Sequence, residues 1–553
     1  MSPLHVSRRT FVIAGSAALA RTVLAVRAAE PRTISADVCI YGGTASGIVA
    51  AVAATRAHCR VVVVEPSRWL GGMTGGGLMH IDWGRPEAVG GMARTLLNDS
   101  LTDPQYRRIF ADLVKTHAIE VLYEHRLASV ARDRNTIQSI KLDHAPPDRI
   151  GCPTPHAKTA GAATVVARVF IDCTYEGDLM AQAGVAYTYG REATERYGES
   201  LAGVRPNMGV YAIDPYVTPG NPRSGLLPLL QDRTMGPVGS ADKLTMGYGF
   251  RWRFTVDPNQ IPINPPEDYD PRTFELYRSA FRQKVDVSGR HMRKLGVYEK
   301  QNASVHSLAA GNLSRSLVSP TVYGCNADYP DGDWSTRARI WKFHQEFMSG
   351  MTHFLRTEPA APENLKQRAA KVGFTPGMFD DTGGWPHQLY VREARRMISA
   401  YVVTQRDLEG TTEPTDSVGL ASYGVDDWPY ATFPLDGKVA LQGGDFSMLY
   451  LDEVHRGIYR IPYRAIVPME RECRNLLVPV CCSASHIAMT SIRMEPVWMI
   501  LGEAAGVAAA LAISGRTSVQ GVDYAQIRSR LLELGARLDR PVVEAPRRSP
   551  PGK

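Results

Sequence analysis

Residues 37–66 read DVCIYGGTASGIVAAVAATRAHCRVVVVEP and constrain the fold more than any other stretch of this chain. An apolar run enters a glycine turn, an alanine-rich segment of helical length follows, and four consecutive valines lead to Glu65. Apolar runs of about four to eight residues bounded by glycine are typical of strands buried on both faces of a parallel sheet. The stretch therefore predicts a βαβ unit that opens a Rossmann-like α/β fold.

The glycine turn between the first strand and the helix predicts a phosphate-binding site. Backbone N–H groups and the positive end of the helix dipole meet an anion at such a turn. Gly42 permits the tight turn and Gly47 lets the helix pack closely on the strand, whereas Thr44 replaces the middle glycine of the GxGxxG fingerprint. The predicted cofactor contacts in this turn are Gly42, Gly43, Thr44, Ala45, Ser46 and Gly47.

Glu65 and a second glycine-rich segment indicate which dinucleotide binds. A carboxylate at the end of the second strand would accept hydrogen bonds from an adenosine ribose, in NAD and FAD alike. The segment WLGGMTGGGLMHIDWG, residues 69–84, then places five glycines within seven residues. Glycine admits close backbone approach, which suits a loop laid along a pyrophosphate and a flavin ring. We therefore predict FAD, bound by Glu65 and by Gly71, Gly72, Met73 and Thr74.

The remaining sequence divides into segments that differ in composition and in hydrophobic pattern. The strand-like runs of residues 119–143 predict a small antiparallel cluster beside the parallel sheet. Proline-rich stretches such as IPINPPEDYDP and EPAAPE mark an insertion, within which LYVREARRMISAYVV, residues 389–403, is expected to be helical. The predicted divisions are a first FAD-binding part (29–191), an inserted substrate or cap domain (192–456), a second FAD-binding part (457–522), and a C-terminal helix with a disordered basic tail (523–553).

The stretch CCSASHIAMTSIRMEPVWMILGEAAGVAAALA, residues 481–512, combines ionisable residues with a helix of small residues. Gly502 and Gly506 belong to one small-residue face of a helix expected to begin at Pro496. If this face lies beside the flavin, the start of the helix would favour the negative charge of the reduced ring. The alternative explanation of the small residues is that the helix packs tightly on the sheet.

Two residues upstream of this helix are candidate catalytic groups. His486 would take a proton while hydride passes to the flavin, and Arg493 would hold an anionic substrate group or the flavin carbonyl edge. The alternative is a buried salt bridge with a satisfied histidine. His387, Arg464 and Asp82 are further candidates for the same cleft.

Five stretches together resemble the exported FAD-dependent oxidoreductases often labelled xanthan-lyase-like, within the class of flavoproteins with two dinucleotide-binding domains. The matching stretches are YGGTASGIVAA, EPSRWLGGMTGGGL, FIDCTYEGDLMAQAGVAYTYGRE, WPHQLYVREARRM and IPYRAIVPMERECRNLLVPVCCSASHIAMTSIRMEPVWMILGEAAGVAAALA. The resemblance implies that Asp172 lies beneath the adenosine end of FAD, that Asp178 lies near the cofactor and that Gly502 lies near the flavin. Thr44 and the doubled Cys481-Cys482 depart from the family pattern.

These observations predict an enzyme that transfers hydride between FAD and a small polar or sugar-like substrate. The alternative is a polysaccharide lyase with the flavin structural or absent, in which His486 and Arg493 serve as base and charge neutraliser. A lyase gains nothing from Glu65 or the second glycine-rich segment. A non-catalytic binding protein would show an emptied flavin site, which the sequence does not.

The N-terminal 28 residues resemble a Tat export signal, because SRRTFVIAGSAALA sets a twin arginine before a short apolar stretch. We expect folded export by the Tat machinery, a periplasmic or secreted location, and a quinone, a cytochrome or oxygen as electron acceptor. The net charge of +7 includes four arginines of this signal, and no basic stripe remains for a nucleic acid. We also expect no metal site, since no CxxC spacing occurs, and no membrane span.

Overall fold

The computed structural model describes residues 32–284 and 316–541, together with the backbone of residues 308–309. The predicted export signal, residues 1–28, lies outside the described residues, as do residues 542–553 of the predicted tail. The strands are β1 (Arg32–Tyr41), β2 (Val61–Glu65), β3 (Glu120–Tyr123), β4 (His125–Asp133), β5 (Thr136–His144), β6 (Thr159–Asp172), β7 (Tyr187–Thr188), β8 (Asn207–Tyr211), β9 (Arg253–Thr255), β10 (Leu308–Ala309), β11 (Gly373–Phe374), β12 (Arg396–Met397), β13 (Ser417–Ala421), β14 (Pro429–Leu435), β15 (Lys438–Gly443), β16 (Tyr459–Pro462) and β17 (Leu476–Leu477). The α-helices are α1 (Ala45–Arg56), α2 (Gly72–Gly76), α3 (Gly91–Leu96), α4 (Asp103–Thr116), α5 (Asp178–Gln182), α6 (Thr194–Tyr197), α7 (Glu275–Arg282), α8 (Trp334–Thr357), α9 (Glu363–Lys371), α10 (Gln405–Leu408), α11 (His486–Ile492), α12 (Glu495–Gly515) and α13 (Tyr524–Glu533).

The main sheet has the strand order β3-β2-β1-β6-β5-β4, and β17 pairs with β6. The pairs β2–β3, β1–β2, β1–β6 and β6–β17 are parallel, whereas β4, β5 and β6 pair in antiparallel fashion. β6 is 14 residues long, and it pairs with β5 in antiparallel fashion over residues 159–166 and with β1 in parallel fashion over residues 163–172. The predicted Rossmann-like parallel sheet with a small antiparallel cluster is confirmed.

Helices α1 and α12 form the core on one face of this sheet. Every residue of α1 from Ala45 to Ala54 is buried, and its side chains are mostly alanine and valine. A Cβ atom added at Gly502 would lie 2.3 Å from the carbonyl oxygen of Ser46, and one added at Gly506 would lie 2.3 Å from that of Ala50. The small-residue face of α12 therefore packs directly on the backbone of α1, whereas the alternative interpretation expected the sheet as its neighbour.

Among the described residues, α12 is the one helix that is long and apolar enough to cross a membrane by length and composition. In the tested window, 83% of the residues are buried inside the protein. Both the core helix of a soluble protein and a membrane span pass this test, so the expected absence of a membrane span stays a prediction.

Four smaller sheets lie outside the main one, with the pairings β10-β9-β11, β12-β7, β13-β16 and β14-β15-β8. Two of the pairings, β7 with β12 and β13 with β16, cross the predicted boundaries at residues 191 and 456. The four predicted divisions of the chain stay predictions.

The expectation of a helix over residues 389–403 is wrong. This segment is extended, with only β12 as regular structure. Its backbone N–H groups donate to carbonyls far away in sequence: Tyr390 to Gly249 (2.9 Å) and Met397 to Cys481 (2.9 Å). Partners in other elements satisfy the backbone, and the charged side chains of the segment are buried in different directions. Tertiary contacts therefore override the local helix propensity.

Candidate cofactor and substrate site

The turn between β1 and α1 has the shape that a bound phosphate requires. Gly42 has a φ of +102°, and a Cβ atom there would lie 2.8 Å from the backbone of Cys173. A Cβ atom at Gly47 would lie 2.0 Å from the carbonyl oxygen of Gly42. The first-turn N–H groups of a helix have no partner within the helix, so those of α1 are directed at this turn.

Thr44 caps α1 and joins the turn to β6. Its side-chain oxygen accepts a hydrogen bond from the N–H of Gly47 (3.2 Å) and donates one to the carbonyl of Cys173 (2.9 Å). A glycine at this position could do neither. The departure from the GxGxxG fingerprint therefore adds a rigid tie between the turn and the end of β6.

Glu65 is held at the end of β2 by two backbone donors. The N–H of Gly43 donates to one carboxylate oxygen (2.7 Å), and the N–H of Ser67 donates to the other (2.7 Å). Burial raises the pKa of Glu65, although these two donors act against that rise. A carboxylate has about four acceptor positions, so oxygen lone pairs remain for the hydroxyls of a ribose.

A cleft of about 740 Å³ opens in front of the turn and of Glu65, and we call it the first cleft. It is lined by Gly42, Thr44, Glu65, Pro66, Ser67, Gly72, Arg126, Ala145, Pro147, Gly151, Pro153, Thr174, Tyr175, Glu176, Tyr329, Trp334, Trp341, His387 and Gln388. The two glycines of the turn and the anchored acid fit the adenosine diphosphate half of FAD.

The second glycine-rich segment forms the inner wall of the first cleft and opens α2. Gly71 and Gly72 have φ values of +97° and +50°, and a Cβ atom at Gly72 would lie 2.4 Å from the hydroxyl of Tyr175. The N–H of Met73 donates to that hydroxyl (2.8 Å), and the hydroxyl of Thr74 donates to Glu495 (2.8 Å). The segment thus leads from the turn toward the start of α12.

A second, smaller cleft lies at the start of α12. Its lining residues are Met73, Leu78, Asp82, Tyr390, Val391, Arg392, Arg493, Met494, Glu495 and Trp498. The hydroxyl of Tyr175, which lines the first cleft, donates to Glu495 in the second cleft (2.6 Å). The two clefts therefore flank the Gly72–Met73 backbone, with the Tyr175–Glu495 hydrogen bond between them.

Arg493 lies in the second cleft. Its side chain donates to the carbonyl oxygen (2.9 Å) and the carboxylate (3.0 Å) of Asp426. Burial alone would lower the pKa of Arg493, but Tyr390 and Asp426 raise it above the usual value, so the guanidinium stays charged. Asp82, a further candidate from the sequence, lines the same cleft.

His486 lies elsewhere, within a buried ionic network. Its Nδ1 is 2.8 Å from a carboxylate oxygen of Glu393, and its Nε2 is 2.6 Å from the hydroxyl of Tyr430. The backbone N–H of His486 donates to Glu192, which is paired with Arg396. The side chain is 1% exposed and lines neither cleft. The structure therefore separates His486 from Arg493 and gives it the surroundings of a satisfied structural histidine.

The pKa values of this network favour a charged pair. Burial lowers the pKa of His486, but the Glu393 carboxylate outweighs burial, so the pKa lies above its usual value. Burial raises the pKa of Glu393, but His486 and Arg396 hold it below the usual value. The pair stabilises the fold above the ordinary glutamate pKa, about 4.3, and below the ordinary histidine pKa, about 6.5.

We predict that Glu393→Gln lowers the free energy of unfolding by about 3–5 kcal/mol between those two pH values, because it leaves a buried imidazolium without its partner. The difference from the native protein should shrink as the pH falls through the pKa of Glu393, and again as the pH rises through that of His486. Urea unfolding across pH checks this, with Glu363→Gln, an exposed change on α9, as control. An effect independent of pH would contradict it.

The other predicted site residues have defined places. Asp172 is buried and accepts hydrogen bonds from Thr174 and from the N–H of Met180, and burial raises its pKa to about 6. Asp178 lies in ion pairs with Arg337 (2.5 Å) and Arg395 (2.7 Å), outside the lining of the first cleft. Both acids organise the loop after β6, whose Thr174 and Glu176 line the first cleft.

The three further candidates, Asp82 in the second cleft, His387 and Arg464, lie in different places. His387 lines the first cleft, stacks on Trp69 with ring centroids 3.8 Å apart, and contacts Asp381 (2.9 Å). Arg464 forms an ion pair with Asp416 at the surface. Among the residues that the structure describes, no cluster of metal-binding side chains occurs.

Two residues of the second cleft were missed as site residues. Arg392 belongs to the segment expected to be a helix, and Tyr390 precedes it. The sequence does carry a signal, because three arginines and a glutamate stand within five residues, REARR, between apolar neighbours. A dense charge run beside apolar residues indicates buried ionisable groups, and such groups cluster at functional sites.

The fold and the two clefts define a dinucleotide-binding protein of the Rossmann class. The family described as FAD dependent oxidoreductase matches residues 37–531, and the chain belongs to this family. The predicted cofactor, FAD, and the predicted class, an FAD-dependent oxidoreductase, are confirmed at the level of the family. The family description contains nothing of a lyase, so that alternative has no support.

Comparisons with curated proteins and with solved structures give less information than the family match. No curated protein matches. One matching solved structure is L-proline dehydrogenase from P. horikoshii, with 15% identity over 30% of this chain and 26% of that chain and a TM-score of 0.17. Another is thioredoxin reductase from T. acidophilum, with 19% identity over 29% of this chain and 39% of that chain and a TM-score of 0.17. A geranylgeranyl bacteriochlorophyll reductase-like protein from Thermoplasma acidophilum also matches, with 15% identity over 28% of this chain and 43% of that chain and a TM-score of 0.19. The chain thus covers less than half the length of these structures, and no argument on substrate rests on them.

Proposed function

We propose that this protein is an oxidoreductase that transfers hydride between FAD and a small polar or sugar-like substrate. The observation that carries the proposal is the adjacency of the two clefts, which flank Gly72 and Met73 and are linked by the Tyr175–Glu495 hydrogen bond. The first has the phosphate turn and Glu65 at one end, and the second, at the start of α12, has ionisable groups able to contact a substrate. When bound, FAD supplies the acceptor or donor of the hydride.

Residues of the first cleft would hold the cofactor. The N-terminal N–H groups of α1 would bind the pyrophosphate, and Glu65 would accept hydrogen bonds from the ribose. The glycines at 71 and 72 would allow the cofactor to run along the backbone toward the second cleft.

Glu495 is the group best suited to exchange a proton with the substrate. Burial raises its pKa to about 7, although hydrogen bonds from Tyr175 and Thr74 act against that rise. A group with a pKa near the working pH serves well as general acid or base. Glu495 also lines the second cleft, whereas His486 does not. In the proposed function, Arg493 contacts the substrate and His486 holds the 389–397 segment in place.

We further propose a periplasmic or secreted location after Tat export, with a quinone, a cytochrome or oxygen as electron acceptor. Support comes from residues 8–20, RRTFVIAGSAALA, which have the order of a twin-arginine signal. Cell fractionation with an antibody to the protein tests this location, and retention of the mature protein in the cytoplasm would contradict it.

The visible absorption spectrum tests the function. Purified protein, reconstituted with FAD, should show flavin bands that bleach on anaerobic addition of a substrate from a panel of sugars, polyols and sugar acids. Glu65→Gln should weaken FAD binding about tenfold to a hundredfold, because a charged acceptor is lost. Glu120→Gln, a half-exposed change on the adjacent strand β3, is the matched control. A protein that remains colourless after reconstitution would overturn the proposal.

A further inference from the structure

The second cleft is surrounded by buried nitrogen donors that lack acceptors. Arg392 Nη2, Arg493 Nε and Trp498 Nε1 have no hydrogen-bond partner among the residues that the structure describes. All three residues line the cleft and are at most 5% exposed. A buried donor left without an acceptor destabilises the protein, and a charged donor does so more strongly. Three such donors around one small space indicate a ligand that brings acceptor atoms.

Arg392 is the most unusual of these groups, because no ion pair is found for it in the described part of the chain. It donates to the carbonyl of Gly247, and its guanidinium lies 4.0 Å from the ring centroid of Trp428 and 4.7 Å from that of Tyr390. Burial, together with the nearby charge of Arg493, lowers the pKa of Arg392 to about 9.

Positive charge exceeds negative charge around Tyr390. Arg251 and Arg493 both reach the Tyr390 hydroxyl, at 3.3 and 3.4 Å, and Arg392 lies over the same ring. The acids opposing these three arginines are Asp426, at 3.0 Å from Arg493, and Asp82, at 3.8 Å from Arg251. Glu495 in the same cleft has a pKa of about 7, so it is partly protonated at neutral pH. Among the residues that the structure describes, these acids are fewer than the three guanidinium groups.

We propose that Arg392 and Arg493 bind a carboxylate group of the substrate in the second cleft. A planar guanidinium offers paired N–H donors that match the two oxygens of a carboxylate. This rests on the proposed function and narrows its substrate to a small carboxylic acid, such as a hydroxy acid or a sugar acid. The carbonyl edge of the flavin has acceptor oxygens of the same kind, so the experiment separates these two occupants.

The test uses the FAD-loaded full chain and two matched pairs of probes, D-glucuronate with D-glucose and glycolate with ethylene glycol. Binding is followed by perturbation of the flavin spectrum and by calorimetry. The acid of each pair should bind about tenfold to a hundredfold more tightly than its neutral partner, because the pair differs by one charge-assisted contact. Arg392→Gln should remove that difference, and Arg392→Lys should retain part of it. Arg108→Gln, an exposed change on α4, should leave it intact.

Three outcomes would overturn the inference. In the first, FAD is bound and reduced by a neutral sugar while neither acid binds better than its partner, which leaves the proposed function standing. In the second, Arg392→Gln shifts the flavin spectrum and reduction potential but not the preference for acids, which assigns the donors to the flavin edge. In the third, Arg392→Lys and Arg392→Gln both bind the acids as the native protein does. Failure to bind FAD at all would instead be the failure of the proposed function.

Discussion

Replacement of Gly47 by alanine is expected to leave the purified protein without FAD. The added Cβ would lie 2.0 Å from the carbonyl oxygen of Gly42 and 3.3 Å from the side chain of Cys173. Backbone cannot yield as a flexible side chain does, so α1 must move away from the turn. That movement would redirect the N–H groups that face the phosphate. We expect FAD affinity to fall at least about a hundredfold, which corresponds to roughly 3 kcal/mol.

The measurement is the flavin absorbance that remains after gel filtration, together with a calorimetric titration of the reconstituted protein. Gly515→Ala is the matched control, because a Cβ atom there meets only an ordinary contact at 3.6 Å. Full retention of FAD by Gly47→Ala would mean that the turn does not bind the cofactor. Circular dichroism of both variants would distinguish loss of the site from loss of the fold.

Replacement of Gly502 or Gly506 by alanine is expected to destabilise the whole protein. Alanine in an exposed helix normally stabilises by up to about 1 kcal/mol relative to glycine. Here each Cβ would lie 2.3 Å from a carbonyl oxygen of α1, which forces the two central helices apart. We expect each change to lower the free energy of unfolding by about 1–3 kcal/mol, and the double variant to lose more than either single one.

The measurement is denaturant unfolding of Gly502→Ala, Gly506→Ala and the double variant. Gly515→Ala, which lies on the same helix, is the control. Gly515→Ala should be neutral or stabilising, since its site is exposed. If Gly502→Ala and Gly506→Ala were as stable as that control, α12 would not pack on α1 as the structure shows. FAD content should fall with stability in the two variants, because Ser46, against which Gly502 packs, belongs to the first turn of α1.

The sequence located the glycine turn and Glu65 more accurately than the rest of the site, because both lie within one short stretch. The turn at residues 42–47 and Glu65 belong to a single βαβ unit, and local spacing alone puts them together. The hydrogen bond from Gly43 to Glu65 closes this unit at 2.7 Å. The glycines at 71 and 72 follow directly, so their position beside the turn needed little information from the rest of the chain.

His486 and Arg493 show where sequence proximity fails. They are seven residues apart, and α11 lies between them, so they were expected to border one site. In the structure His486 belongs to a network with Glu393 and Glu192, whereas Arg493 faces Tyr390 and Asp426. The partners of each residue come from distant parts of the chain. Periodicity within one helix contains no information about them.

The sequence by itself determined the βαβ unit, the class of cofactor and the close packing of α12, because these depend on glycine spacing and on runs of small or apolar residues. Only the tertiary structure decided the path of residues 389–403 and the second cleft. Many of their backbone and charged groups pair with partners more than a hundred residues away, such as Gly249 for Tyr390 and Glu192 for Arg396. Burial makes such long-range pairing outweigh local propensity, since an unpaired buried polar group costs more than a helix former gains.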